Sequence, residues 1–460
     1  MTKSYIQSIK ETFKDKKFLK KAMLIAVPIA LQNMLNTITN LIDTMMIGKL
    51  GASSIAAVGL ANKYFFVFSL FIFGICSGSG ILAAQFWGSG DKGNIRKVLG
   101  LSSIIAMAGA GLFFIPAFFN PEFVMRIFTT SEVSQEIGAV YLKIACLSYP
   151  FICLSNVIVA MLRAVNKVKT PVVTSFVAII INIVLNYVLI FGHFGAPELG
   201  VAGAAIATLS ARIVELILLM FAILSKNSIF RAPIREFIGW NKAFLNSFVV
   251  NATPVILNEF MWGLGTTLYS VAYGRMGDDA VAAITIATTI QDIVIVLWAG
   301  LSAATAVILG NYLGAGKLEK AEDYSLKFFT LSFALSIFAM IFIYIIRGPI
   351  ISAYSITPEV ADLVKKCIMV FIIYTIPKMH NYILIVGILR SGGDTRMCLF
   401  LDTSGVWLIG VPLAFLGALV WKLPIYLVYA LVLSEEIYKF IVGTYRYTQK
   451  KWLKNIAIDV

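Results

Sequence analysis

Residues 48–57 read GKLGASSIAA, and residues 274–283, 226 positions further on, read GRMGDDAVAA. The same offset, without a gap, pairs Pro28 with Pro254, Leu31 with Leu257, Gly74 with Gly300, and Gly88-x-Gly90 with Gly314-x-Gly316. A small drift, to 227, matches Pro150 with Pro377 and Leu162-Arg163 with Leu389-Arg390, and at 224 Leu209-Ser210 meets Leu433-Ser434. Chance can align a few alanines, but not proline and glycine punctuation held over most of a half-chain. Self-similarity at a fixed offset is a signature of architecture, and in membrane sequences such halves are typical of secondary transporters. The repeat therefore reads as a two-lobed carrier.

Composition agrees. Of 460 residues 59% are hydrophobic and 13% charged, with a mean hydropathy of +0.87, too apolar for a soluble domain of this size. Apolar runs of about 20 residues, enough to cross a bilayer, predict spans 1–12 near 22–47, 58–86, 98–119, 141–162, 172–192, 202–224, 245–273, 282–310, 328–346, 366–389, 397–420 and 424–445. The first is too long and too polar for a cleavable signal peptide. The expected fold is thus an all-α polytopic membrane protein, twelve transmembrane helices in two six-helix lobes related by a pseudo-twofold axis. Residues 1–224 form the N-lobe (spans 1–6), 225–244 a cytoplasmic linker, and 245–460 the C-lobe with a cytoplasmic tail.

A net charge of +14 invites a nucleic-acid reading until the charges are placed. With the N-terminus inside, the segments 1–21, 87–97, 163–171, 225–244, 311–327, 390–396 and 446–460 hold 26 of the 38 Lys and Arg, against 8 on the outer side. This is the positive-inside bias, and no nucleic acid is needed. Both termini are expected in the cytoplasm of a cell membrane. Six spans separate each repeat mark from its partner, so the halves enter the bilayer in the same direction. The basic 225–244 segment is expected to lie at the surface. The five Cys lie in or beside spans without metal-ligand spacing and read as apolar fillers. GSGDKG (88–93) and GAGK (314–317) lack the G-x-x-x-x-G-K-[ST] pattern of a phosphate loop and read as cytoplasmic turns.

Polar residues within spans carry the chemistry, because each charge at a helix centre costs about 2.5–3.5 kcal/mol. In span 1, Asn33, Asn36, Asn40 and Asp43 recur at i, i+3, i+7 and i+10, one narrow helical face. The repeat carries that face onto Glu259, Trp262, Thr266 and Tyr269 of span 7. Helix-packing hydrogen bonds account for isolated Asn or Thr, but a stripe of four ending in Asp points to a water-lined cavity. Span 5 adds Asn182 and Asn186, and span 10 adds Tyr374, Lys378 and Asn381 on one face. Lys378 fits three readings: partner of Glu259, a structural ion pair, or a titrating group. Arg212 and Glu215 are spaced to pair within span 6, and Glu435 and Glu436 lie with Lys439 on span 12. Arg163 and Arg390 stand at cytoplasmic ends from which Arg can snorkel. Asp292 and Asp402 fit a cavity, packing or capping role.

At these residues the chain resembles the multidrug and toxic compound extrusion (MATE) family. The resemblance covers essentially its whole length, through LIDTMMIGKLGASSIAAVGLAN (41–62), AAQFWGSGD (83–91), LRAVNKVKTP (162–171), NIVLNYVLIFG (182–192), LGVAGAAIAT (199–208), YGRMGDDAVAA (273–283), GNYLGAGK (310–317) and LRSGGDTR (389–396). It implies export of organic, often cationic and amphipathic compounds against inward H⁺ or Na⁺. Residue by residue, Asp43 is similar to the family's first-span acid, Asn182 and Asn186 to its fifth-span polar pair, and Thr208 to its sixth-span hydroxyl. Where Asn186 stands some members carry Asp, so this site has one carboxylate fewer. Glu259 resembles a span-7 Glu of the family, whereas Met379 takes the place of a span-10 acid, and a Na⁺ site built on that acid does not carry over.

The resulting expectation is a cation-coupling site at Asp43, Asn182, Asn186 and Thr208, able to exchange H⁺ or to take Na⁺ through hard oxygen ligands. The substrate cavity is expected to include Asn33, Asn36, Asn40, Glu259, Trp262, Thr266, Tyr269, Lys378 and Asn381. No cofactor is expected, no metal beyond Na⁺ at Asp43, and no partner beyond small organic substrates and the bilayer, with the monomer as working unit. A membrane enzyme would need clustered Asp and His or a metal set, which two His and scattered acids do not supply. A flippase for lipid-linked saccharides, of related architecture, would need a basic cavity for phosphate.

Overall fold

The computed structural model describes residues 11–352, 354 and 356–458. The tips of the expected cytoplasmic ends (1–10 and 459–460), and Ala353 and Ser355 before span 10, lie outside the described residues. The twelve long helices are α1 (Lys16–Gly48), α2 (Ala52–Ser89), α3 (Lys92–Phe119), α4 (Glu132–Ala164), α5 (Lys169–Phe191), α6 (Gly200–Ile223), α7 (Lys242–Gly274), α8 (Asp278–Gly314), α9 (Leu318–Ser352), α10 (Pro358–Asn381), α11 (Thr395–Val420) and α12 (Ile425–Thr448). Each overlaps a predicted span and extends most of them at one or both ends; α10 starts eight residues before its expected span, whose last eight residues, Tyr382–Leu389, are π-helical. Among the described residues nine are long and apolar enough to cross a membrane. The other three, α7, α10 and α12, carry Glu259, Lys378 and the Glu435–Glu436–Lys439 group, which interrupt their apolar runs.

The repeated glycines have a conformational cause. Gly51 (φ 109°) precedes α2 and Gly277 (φ 100°) precedes α8, while Gly90 (φ 82°) and Gly316 (φ 71°) follow the same two helices. Side chains rarely tolerate positive φ, so both halves retain glycine where the chain reverses. After Gly90, Asp91 caps α3 by accepting the Asn94 N–H at 2.9 Å, a helix start of ordinary type. Both glycine-rich segments are turns, as the sequence indicates.

By packing, the chain falls into two compact units: Leu31–Ile256, and the segment ending at Ala30 together with Leu257–Val460. The boundaries lie two residues beyond Pro28 and Pro254, each inside a helix at a point where proline removes a backbone donor. Close helix approach explains the division. A Cβ added to Gly74 would lie 2.7 Å from Ile256 Cα, and one at Gly78 2.7 Å from Ala252 Cα, so α2 holds the leading half of α7. In the other unit a Cβ on Gly300 would meet the Ala26 carbonyl at 2.6 Å, so α8 holds the leading half of α1. Small residues at membrane-helix contacts permit such approach.

The linker is docked rather than merely laid on a surface. Arg96 of α3 donates to the Ile229 carbonyl at 2.6 Å and pairs with Glu236. Trp240 Nε1 donates to the Lys97 carbonyl at 3.1 Å, and Phe230 is buried.

Candidate functional site

In the Leu31–Ile256 unit a cavity of about 570 Å³ opens between α1, α2, α4, α5 and α6. Asn36, Asn40 and Asp43 line it, three of the four stripe residues, and Asn182 and Thr208 face it from α5 and α6. Asn33 is not in its wall; its carbonyl accepts the Thr37 hydroxyl at 3.1 Å. Helical periodicity put the stripe on one face, but the cavity begins a turn further along α1.

The four expected coupling residues form one hydrogen-bonded chain. Asn186 Nδ2 donates to Asp43 Oδ1 at 2.6 Å and to Asn182 Oδ1 at 3.3 Å. Asn182 Nδ2 in turn donates to Thr208 Oγ1 at 3.4 Å. Asn182 and Asn186 are buried while Asp43 is half-buried. Asn186 Oδ1 is buried without a partner, an acceptor that normally finds one. One turn beyond Asp43, Ile47 packs with Val58, Ile190 and Ala204 in an apolar cluster. An acid, an amide and a hydroxyl on a cavity wall, joined through the buried Asn186 amide, are chemically able to exchange a proton or a hard cation.

The cavity holds groups that the sequence did not single out for it. Phe65, Phe66, Tyr141 and Tyr149 form aromatic wall, with Tyr149 stacked on Phe68 at 4.4 Å. They come from α2 and α4, and no polar stripe on either helix marks them. Arg212 also lines the cavity and makes its expected pair with Glu215 at 2.8 Å. Glu215 accepts from Ser175 (2.8 Å), Ser175 from Gln32 (2.8 Å), and Gln32 from Arg163 (2.6 Å). Arg163 therefore turns inward instead of snorkelling. Gln32 directly precedes the span-1 stripe and Ser175 lies seven residues before Asn182, so the polar faces already marked could have pointed to both.

The second unit distributes the remaining candidates over several contacts. Glu259 is buried and paired with Arg390 at 2.9 Å, not with Lys378. Arg390 is 1% exposed, which corrects its reading as a snorkelling residue. Lys378 pairs with Glu436 at 2.9 Å, and Asn381 Nδ2 donates to the same carboxylate at 2.9 Å. Tyr269 is buried and donates to Glu435 at 2.7 Å. Thr266 donates within its own helix to the Gly263 carbonyl at 3.0 Å, and Trp262 is exposed. Asp402 is explained by Lys439 at 3.3 Å and Asn258 at 2.9 Å. Asp292 is exposed.

Comparison with known proteins fits this arrangement. The MatE family model matches residues 28–188 and 254–416, one match in each half of the repeat. A Bacillus subtilis protein described as probable multidrug resistance protein YoeA is 26% identical over 406 residues, 87% of either chain. The probable multidrug resistance protein NorM of Thermotoga maritima is 23% identical over 95% of this chain and 94% of its own. Among solved structures, a MATE in a bent conformation superposes with a TM-score of 0.86 at 19% identity, covering 98% of both chains. An outward-facing multidrug resistance MATE transporter of the MOP superfamily gives 0.84 at 21% identity over 94% of this chain and 95% of its own. At such identities the structures speak for the fold: twelve membrane helices in two lobes. With a family model spanning both halves, the chain belongs to the MATE family of multi-pass membrane transporters.

Proposed function

We propose that the protein exports organic, cationic or amphipathic compounds across the cell membrane by antiport against inward H⁺ or Na⁺, with both termini in the cytoplasm. Relatives described as multidrug resistance proteins support the cargo class. The observation that carries the coupling reading is the hydrogen-bonded Asp43–Asn186–Asn182–Thr208 chain, of which Asp43, Asn182 and Thr208 line the cavity. Asp43 is the ion-binding carboxylate. Asn186 Oδ1, buried and without a partner, gains one when Asp43 carries a proton or when Na⁺ sits beside it. The aromatic rings supply cation–π and apolar surface for cargo. The lining charges, Asp43 and a guanidinium already tied to Glu215, do not make the basic cavity that a lipid phosphate requires.

Antiport needs ion and cargo to favour different states, since a ligand of equal affinity for both shifts nothing. Ion arrival at Asp43 alters the hydrogen bonds of α1 within its Leu31–Gly48 portion and favours release of cargo outward. Asp43→Asn retains shape while removing the charge. In proteoliposomes the variant should fold and still bind ethidium or norfloxacin, yet lose gradient-driven efflux at every external pH and Na⁺ concentration. Wild-type pumping by Asp43→Asn would place coupling elsewhere. Varying Na⁺ at fixed pH, and the converse, separates the two ions in the parent protein.

A further inference from the structure

The Leu257–Val460 portion carries embedded charges for which the Asp43 mechanism has no use. Lys439 of α12 is 3% exposed and stands between two carboxylates, Glu435 Oε1 and Asp402 Oδ1, each at 3.3 Å. A neutral donor completes each acid: the Tyr269 hydroxyl reaches Glu435 Oε2 at 2.7 Å, and Asn258 Nδ2 reaches Asp402 Oδ2 at 2.9 Å. The neighbouring acids are matched one to one. Glu436 has Lys378, and Glu259 has Arg390. Of these three cations only Lys439 serves two carboxylates, so the group carries one negative charge in excess.

The fold makes room for this arrangement. The segment Gly405–Gly410 of α11 is a π turn, a wide helical turn frequent at functional sites. A Cβ on Gly405 would lie 2.5 Å from Lys439 Cε, and one on Gly410 2.1 Å from the Tyr269 hydroxyl and 2.7 Å from Glu435 Oε2. A second, independent feature is an orphan acceptor. Asn258 is 2% exposed, its Nδ2 is on Asp402, and its Oδ1 is buried without a partner. A carboxyl O–H is the donor that closes such a pair, the amide giving N–H to one oxygen and accepting O–H from the other.

We propose that Asp402 and Glu435, gathered on Lys439, form a proton-binding site that holds one proton between them. An uncompensated charge within the bilayer is costly, and two carboxylates on one ammonium relieve it by sharing a proton, titrating as a pair. A proton fits better than Na⁺, because the Lys439 ammonium already touches both acids and the orphan oxygen, Asn258 Oδ1, accepts a single O–H. The other titratable groups facing Glu435 are Glu436, Lys378 and Tyr273. Those facing Asp402 are the Glu259–Arg390 pair and Cys398. None of them supplies a further unpaired cation. The site does not depend on the role proposed for Asp43.

The test is pH-difference infrared spectroscopy on the full-length protein in liposomes, in an Asp43→Asn background so that the other unit's acid is silent. A buried protonated-carboxyl band should be present at neutral pH. Either Glu435→Gln or Asp402→Asn should remove it, since one acid then faces one ammonium and no proton is needed. Lys439→Met should instead add a second such band. The proposal is overturned by absence of the band in the Asp43→Asn protein, by its survival in both single-acid variants, or by its displacement with Na⁺. The two isosteric variants decide the matter even where Lys439→Met fails to fold.

Discussion

Glu259→Gln separates a structural carboxylate from a substrate-binding one. The repeat alone places Glu259 on the face equivalent to the Asn33–Asp43 stripe, and a cargo-binding acid there should affect export of cationic compounds more than of neutral ones. In the structure Glu259 is buried and its Oε1 lies 2.9 Å from Nη2 of Arg390, whose side chain is 2% exposed. Removing one partner of a buried pair leaves the other charge uncompensated, a loss of about 3–5 kcal/mol. At roughly 2–4 °C per kcal/mol for a unit of some 200 residues, the drop in melting temperature is on the order of 10 °C. Replacing both partners with apolar residues of similar volume is often close to neutral, so Glu259→Met with Arg390→Met should recover most of that loss. Thermal-shift measurements on the purified parent, both single variants and the double variant complete the cycle. Surviving Glu259→Gln protein should export cationic and neutral compounds in the parent's ratio. If Glu259→Gln melts like the parent and loses only cationic export, the acid serves cargo and the structural reading is wrong.

The other expectations are simpler to check. Gly300→Leu and Gly74→Leu should each disrupt folding through backbone clashes, since even a Cβ would lie 2.6 Å from the Ala26 carbonyl or 2.7 Å from Ile256 Cα; near-normal yield of either would contradict the close helix approach. Cysteines introduced at 195–198 and 277–279 should label from outside intact cells and those at 90–93 and 230–240 should not, so outside labelling of 230–240 would reverse the proposed topology. Just before α1, the Lys327 ammonium, 2.7 Å from Asp15, holds the Asp15 carboxyl below its ordinary 3.8. A lowered acid stabilises fully above that ordinary value, and the contribution fades as pH falls through the folded one. Amide protection across 11–20, corrected for the intrinsic pH dependence of exchange, should therefore fall in acid but not in base, and Asp15→Asn should abolish the difference.

Sequence alone determined the number of the helices and which polar residues of α1 share a face. The reasons are local: apolar run length reports what a bilayer accepts, and glycine at 51, 90, 277 and 316 reports positive φ. Helical period put Asn36, Asn40 and Asp43 on one face, and they do share a cavity wall. Which partner each charge would take was not legible. Pairing joins residues far apart in the chain, as Asn186 does with Asp43, Arg390 with Glu259, and Lys439 with Asp402. Lys378 remained open among three readings for that reason, and only packing assigned it to Glu436. The same limit hid the roles of Gln32 and Ser175, which appear only when Arg163 and Glu215 arrive on other helices. Periodicity constrains the face a residue occupies, whereas the identity of the group across from it is set by how the helices pack. Small residues such as Gly74, Gly300, Gly405 and Gly410 decide that packing at positions where a single methyl would not fit.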